Sequence, residues 1–105
     1  MRRGEVWWAD LPPPVGRRPV LLLSRDSAYR VRVSVTVAPI TRTVRGIPVE
    51  VPLSSAEGLS TDCAVNLDDV MTIPKALLQR QIATLSDERM AEVVSALTFA
   101  LDLDR

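Results

Sequence analysis

The sequence predicts a mostly β, α+β fold: a small half-open barrel with one C-terminal helix packed on it. Three observations carry this. Short strand-like runs recur at close spacing from residue 4 to residue 85, separated by Pro, Gly and polar stretches. Near residue 86 the hydrophobic period lengthens from that of a strand to that of a helix. The chain has 105 residues, 47% hydrophobic and 25% charged, which suits one domain around one core. Residues 1–105 are therefore read as a single domain, with no repeat, low-complexity tract or linker.

Gly4 to Asp10 is the first strand, with Val6, Trp7, Trp8 and Ala9 between polar ends. Leu11-Pro12-Pro13-Pro14-Val15-Gly16 is a loop, because three prolines remove ladder donors. Arg18 to Ser24 is a second strand, so apolar that both faces are expected inside. Arg25 to Arg32 is a polar loop or a single helical turn. Val33, Val35 and Val37 alternate with Ser34, Thr36 and Ala38, the period of a strand with one buried face. Arg42 to Gly46 is a basic loop. In the short strand Pro48 to Leu53, Val49, Val51 and Leu53 fall in step. Ser54 to Asp62 is a loop. Cys63 to Leu67 and Val70 to Ile73 are expected to form a hairpin turning at Asp68-Asp69. Leu78 to Leu85 is a last strand. Met90, Val93, Val94, Leu97 and Leu101 then mark one face of a helix over 87–101. Ser86 is its N-cap, and Asp87 and Glu88 suit the positive end of its dipole.

Composition excludes several kinds of chemistry. There is no histidine, which removes Ser-His-Asp and Cys-His nucleophiles and thiolate–imidazole zinc sites. The lone Cys63 forms no internal disulfide; it reads as a small core residue in a reducing compartment. The apolar run Val20 to Leu23 is far too short to span a bilayer, and residues 1–5 lack the apolar stretch of a signal peptide. No membrane is expected and a cytoplasmic location is. Formal net charge is zero but unevenly spread. Residues 1–53 carry nine arginines and four acids, a balance of +5; residues 54–105 carry four bases and nine acids, a balance of −5. One surface is therefore expected to attract an anion, and its planar guanidinium forks suit phosphate.

Arg3-Gly4-Glu5-Val6-Trp7, Asp10-Leu11-Pro12 and Arg18-Pro19-Val20-Leu21 open the chain in a recognisable order. Ala38-Pro39-Ile40-Thr41 follows, then Asp62-Cys63-Ala64-Val65-Asn66-Leu67-Asp68 leading to Met71-Thr72-Ile73, and finally Leu85-Ser86-Asp87 with its helix. Together these motifs, over residues 2–103, resemble the MazF/PemK family of toxin endoribonucleases. The resemblance implies an SH3-like barrel, a homodimer, and sequence-selective cleavage of single-stranded RNA without a metal or cofactor, blocking translation and growth. It implies a cognate antitoxin whose disordered, acidic segment lies across the dimer groove. It places catalytic roles on Arg18 and Thr41 and base contacts on Asp68 and Asp69. The chain departs from the family in its first loop. Many members have a Gly-Ser-Glu-Gln stretch before the Arg-Pro; here only the proline loop and Gly16-Arg17 stand there.

Cleaving RNA by internal attack needs a base for the 2′-hydroxyl, stabilisation of the phosphorane and a proton for the leaving oxygen. Arg18 suits the second role as a phosphate clamp, and is a candidate for the third. Thr41 suits the orientation of the reacting groups, and the base is left unassigned. Arg17, Arg42 and Arg45 read as contacts to non-reacting phosphates, or as solvated loop charges. Of the adjacent Trp7 and Trp8, one is expected in the core; the other is a stacking platform for a base or a subunit contact. Asp68-Asp69 reads as a turn, although the pair has the chemistry to grip Mg²⁺ or to accept hydrogen bonds from a base. The alternative function is a non-catalytic growth inhibitor on the same barrel that binds a protein such as DNA gyrase.

Overall fold

The computed structural model describes residues 1–104. Seven strands form one antiparallel, curled sheet: β1 Glu5–Asp10, β2 Arg17–Leu22, β3 Ser34–Thr41, β4 Glu50–Leu53, β5 Cys63–Asn66, β6 Met71–Pro74 and β7 Leu78–Thr84. A single helical turn, α1 Ala28–Val31, follows β2, and α2 Asp87–Leu101 closes the chain. The strand order is β4-β5-β3-β2-β1-β7, with β6 on β3. This is the half-barrel with a terminal helix that the sequence predicts.

Strand β2 shows why the sheet curls around two cores. Leu21 and Leu23 belong to one apolar cluster, and Val20 and Leu22 to the other. Alternate side chains of an apolar strand point to opposite faces, so both faces are covered. The first cluster, with Val6, Ile40, Val51 and Val65, packs on Val93 and Ala96 of α2. The second gathers Ala9, Tyr29, Val35, Val37 and Ile73. Ser86 caps α2 as expected, its Oγ accepting a hydrogen bond from Arg89 N at 3.2 Å. Among the described residues, no helix is long and apolar enough to cross a membrane.

Three expectations are corrected. The segments around Asp68-Asp69 do not form a hairpin, because β5 and β6 pair with β3 rather than with each other. Thr41 meets Ala64 while Val37 meets Met71, so β5 and β6 run end to end along one edge of β3. Residues 67–70 are the kink between them. The buried face of α2 also differs: Ala96 is in the core, while Val94 and Leu101 are 47% and 56% exposed. Alanines let the helix axis approach the sheet more closely than the bulkier stripe would. Finally, Val33 is 82% exposed, since β3 begins one residue later.

Candidate RNA-cleavage site

Arg18 and Thr41 are brought together by sheet register. Arg18 lies near the start of β2, opposite Ala9 of β1, and Thr41 ends β3. The β2–β3 ladder pairs Val20 with Pro39. Continued two residues, that antiparallel register sets Arg18 beside Thr41. Both residues line two adjoining cavities, of about 600 and 320 Å³, and so form the ridge between them. The Arg18 side chain has no hydrogen-bond or ion-pair partner among the described residues. Thr41 Oγ1 accepts a hydrogen bond from Thr43 N at 3.1 Å, which fixes the hydroxyl and leaves its proton to donate elsewhere.

The larger cavity is cationic. Arg17, Arg18, Arg42 and Arg80 line it, and no carboxylate does. Trp8 and Ile82 add apolar wall. Arg17 stacks on Trp8 with its guanidinium carbon 4.3 Å from the ring centroid, and its Nε donates to Gln79 Oε1 at 3.2 Å. Trp7, on the other face of β1, packs against the second core and donates Nε1 to Glu5 Oε1 at 2.9 Å. Cys63 is buried, and burial, with Asp62 and Glu57 adding to it, pushes its thiol pKa up. That disfavours the thiolate and agrees with a packing role.

The smaller cavity mixes charges, with Arg18, Arg45, Asp68, Asp69 and Asn66 around it. Arg45 is not the free loop cation expected from sequence. Its Nε donates to Glu50 Oε2 at 2.9 Å, so a carboxylate already balances its charge. Asp68 and Asp69 do reach this cavity beside Arg18 and Thr41, although not through a hairpin. No group of three metal-ligating side chains occurs among the described residues. Sequence reasoning missed Arg80, Thr43, Glu50 and Asn66. Arg80 is recognisable only from its pairing opposite Trp8. For Glu50 there was a signal, an acid between the buried Val49 and Val51.

The family model for the PemK-like, MazF-like toxin of type II toxin–antitoxin systems matches residues 2–101. The chain belongs to the PemK/MazF toxin family. A relative named probable endoribonuclease MazF5, from Mycobacterium tuberculosis, is 41% identical over 104 residues, covering 98% of this chain and 94% of its own. The solved M. tuberculosis toxin MazF-mt6 is 39% identical with a TM-score of 0.89, over 96% of this chain and 99% of its own. A mycobacterial endoribonuclease solved in complex with its cognate antitoxin is 28% identical with a TM-score of 0.89, over 100% of this chain and 98% of its own. Family membership thus agrees with the barrel and terminal helix built above.

Proposed function

We propose that this toxin is an endoribonuclease that cleaves single-stranded RNA at the ridge between the two cavities. The observation that carries the reading is the unpartnered Arg18 guanidinium beside the fixed Thr41 hydroxyl. The 2′-oxygen attacks the adjacent phosphorus, the bond to the 5′-oxygen breaks, and a 2′,3′-cyclic phosphate remains. Negative charge grows on the non-bridging oxygens in that transition state. A guanidinium already held there stabilises it without reorganisation. Thr41 donates to the same phosphate and orients it. One proton leaves the 2′-hydroxyl to a general base, and one reaches the leaving oxygen, for which Arg18 is the candidate donor.

Arg17, Arg42 and Arg80 serve as phosphate contacts that hold the flanking strand, and Asp68 and Asp69 contact a base. Cleavage uses no metal and is sequence-selective, and it acts in the cytoplasm to stop translation and growth. The arginines around the larger cavity, none of them opposed by a carboxylate there, favour a polyanion over a protein target such as gyrase. The neutralising partner is an antitoxin whose acidic, disordered segment folds onto this basic surface. The chain works as a homodimer; Phe99, Leu101 and Leu103, all more than half exposed, leave apolar surface at the end of α2 for a second copy.

The test is incubation of the purified protein with a single-stranded RNA pool in EDTA, with mapping of new ends. Discrete cuts bearing cyclic phosphate are expected. Cleavage that vanishes in EDTA and returns with Mg²⁺ refutes the metal-free route; no cleavage in either condition refutes the enzyme.

A further inference from the structure

Among the described residues Glu50 and Asn66, each 8% exposed, are the only buried ones with a charged or amide side chain. They are neighbours across β4 and β5, paired in register. Burying a carboxylate and a carboxamide is costly unless both are hydrogen-bonded. Both are, but to two different loops. Glu50 Oε1 accepts from the backbone N–H groups of Arg45 at 2.9 Å and Gly46 at 3.1 Å, and Oε2 accepts from Arg45 Nε at 2.9 Å. Asn66 Oδ1 accepts from Asp68 N at 2.9 Å, and Nδ2 donates to Asp69 Oδ2 at 2.8 Å.

The first loop runs between β3 and β4 without a strand of its own, and turns at Gly46 with a φ of +69°. The second is the kink between β5 and β6. Together they bring Thr43, Arg45, Asp68 and Asp69 to the smaller cavity. Burial pushes the Glu50 carboxyl pKa up, but the donors from Arg45 and Gly46 outweigh it and hold it below the ordinary value. The carboxylate therefore stays charged and keeps its grip on the loop at neutral pH.

We propose that Glu50 and Asn66 are positioning residues for substrate choice: by fixing the two loops they set which RNA base the smaller cavity accepts beside the cleaved bond. The proposal rests on the RNA-cleaving reading above. Glu50 occupies Nε of Arg45 and leaves the two Nη groups as a fixed pair of donors. Asn66 occupies Asp69 and leaves the Asp68 carboxylate as an acceptor. Donors and acceptors held this way discriminate, because a mismatched base covers polar groups that it cannot pair. Loosening the kink between β5 and β6 relaxes discrimination before it affects bond breaking, since Arg18 is held by the β1–β2 ladder and Thr41 by its pairing with β5. Loosening the first loop also reaches Thr43, whose N–H fixes the Thr41 hydroxyl, so Glu50→Gln lowers the rate as well as the discrimination.

The experiment maps cleavage ends on RNA with randomised positions, for the wild type, Glu50→Gln, Asn66→Ala, Asn66→Asp and Val93→Ala. Glu50→Gln keeps acceptors for the two backbone donors but can set an amide NH₂ against the guanidinium. Asn66→Asp keeps the acceptor for Asp68 N but sets two carboxylates together. Val93 is fully buried in the core under α2 and controls for lost stability. Glu50→Gln and Asn66→Ala should flatten the base preference at one position beside the cut by roughly tenfold, the size of one charge-assisted hydrogen bond. Asn66→Asp should alter the preferred base, and Val93→Ala should lower Tm with the preference intact. Folded Glu50→Gln and Asn66→Asp proteins that keep the wild-type preference overturn the proposal, whether or not Asn66→Ala folds. So does equal flattening by Val93→Ala. A wild type that cuts no RNA instead refutes the underlying reading.

Discussion

Arg18→Ala should nearly abolish cleavage while leaving the protein folded and RNA-bound. Its backbone is held opposite Ala9 in the β1–β2 ladder, and its guanidinium has no partner among the described residues. Truncation thus breaks no hydrogen bond or ion pair, and the stability change should stay within about 1 kcal/mol. In the transition state the lost group is a charged donor aimed at developing phosphorane charge. Removing one such donor costs about 3–4 kcal/mol, or roughly a hundred- to thousandfold in rate. Binding should suffer far less, since Arg17, Arg42 and Arg80 still line the larger cavity. Losing one phosphate contact on a single strand lowers the slope of log affinity against log salt by about 0.7. Arg18→Lys should restore little, because a point charge does not reproduce the planar fork. The assay is single-turnover cleavage at saturating RNA, beside binding to an RNA with a 2′-deoxy group at the cut site. Near-normal cleavage by Arg18→Ala, with Arg42→Ala inactive, would place the clamp elsewhere.

Arg80→Ala should show the opposite split: weaker binding, a salt slope smaller by about 0.7 and a nearly unchanged single-turnover rate. An unchanged slope would remove Arg80 from the RNA track. The stability gap between the wild type and Glu50→Gln should depend on pH. The native Glu50 pKa is lowered, so its contribution is present above the ordinary value of 4.5 and fades as pH falls through the lower native value. Urea denaturation at neutral pH and near pH 3 should show the gap closing at the acid end; a constant gap would contradict the depressed pKa. On α2, Val94→Ala, at an exposed position outside the apolar patch at the helix end, should change stability by no more than about 0.5 kcal/mol. Ala96→Leu should cost about 1–3 kcal/mol through overpacking. The reverse order in thermal unfolding would restore the helix face that periodicity alone suggests.

Local pattern carried much of the fold. The alternation of Val35 and Val37, the doubly apolar Val20 to Leu23 and the capped helix after Ser86 each depend on neighbours a few residues away. Such features survive in a linear reading. The Arg18-Thr41 pairing was legible only through family motifs, because nothing local says that the start of one strand meets the end of the next.

What sequence alone determined here is therefore element type, order and the imbalance of arginine toward the first half. Tertiary structure decided which of those elements touch. Asp68-Asp69 looked like a hairpin because two acids between short apolar runs suit a tight turn. Only the long-range pairing of both runs with β3 shows that they lie end to end. Arg45 reads from sequence as a loop cation because its charge is visible and its partner is not; Glu50 meets it only once the loop folds back onto β4. Arg80 belongs to the acidic half of the chain, yet β7 pairs with β1 and carries it in among Arg17, Arg18 and Arg42. Charge adds across space rather than along the chain, so the electrostatics of this site belong to the sheet's pairing and not to any segment of sequence.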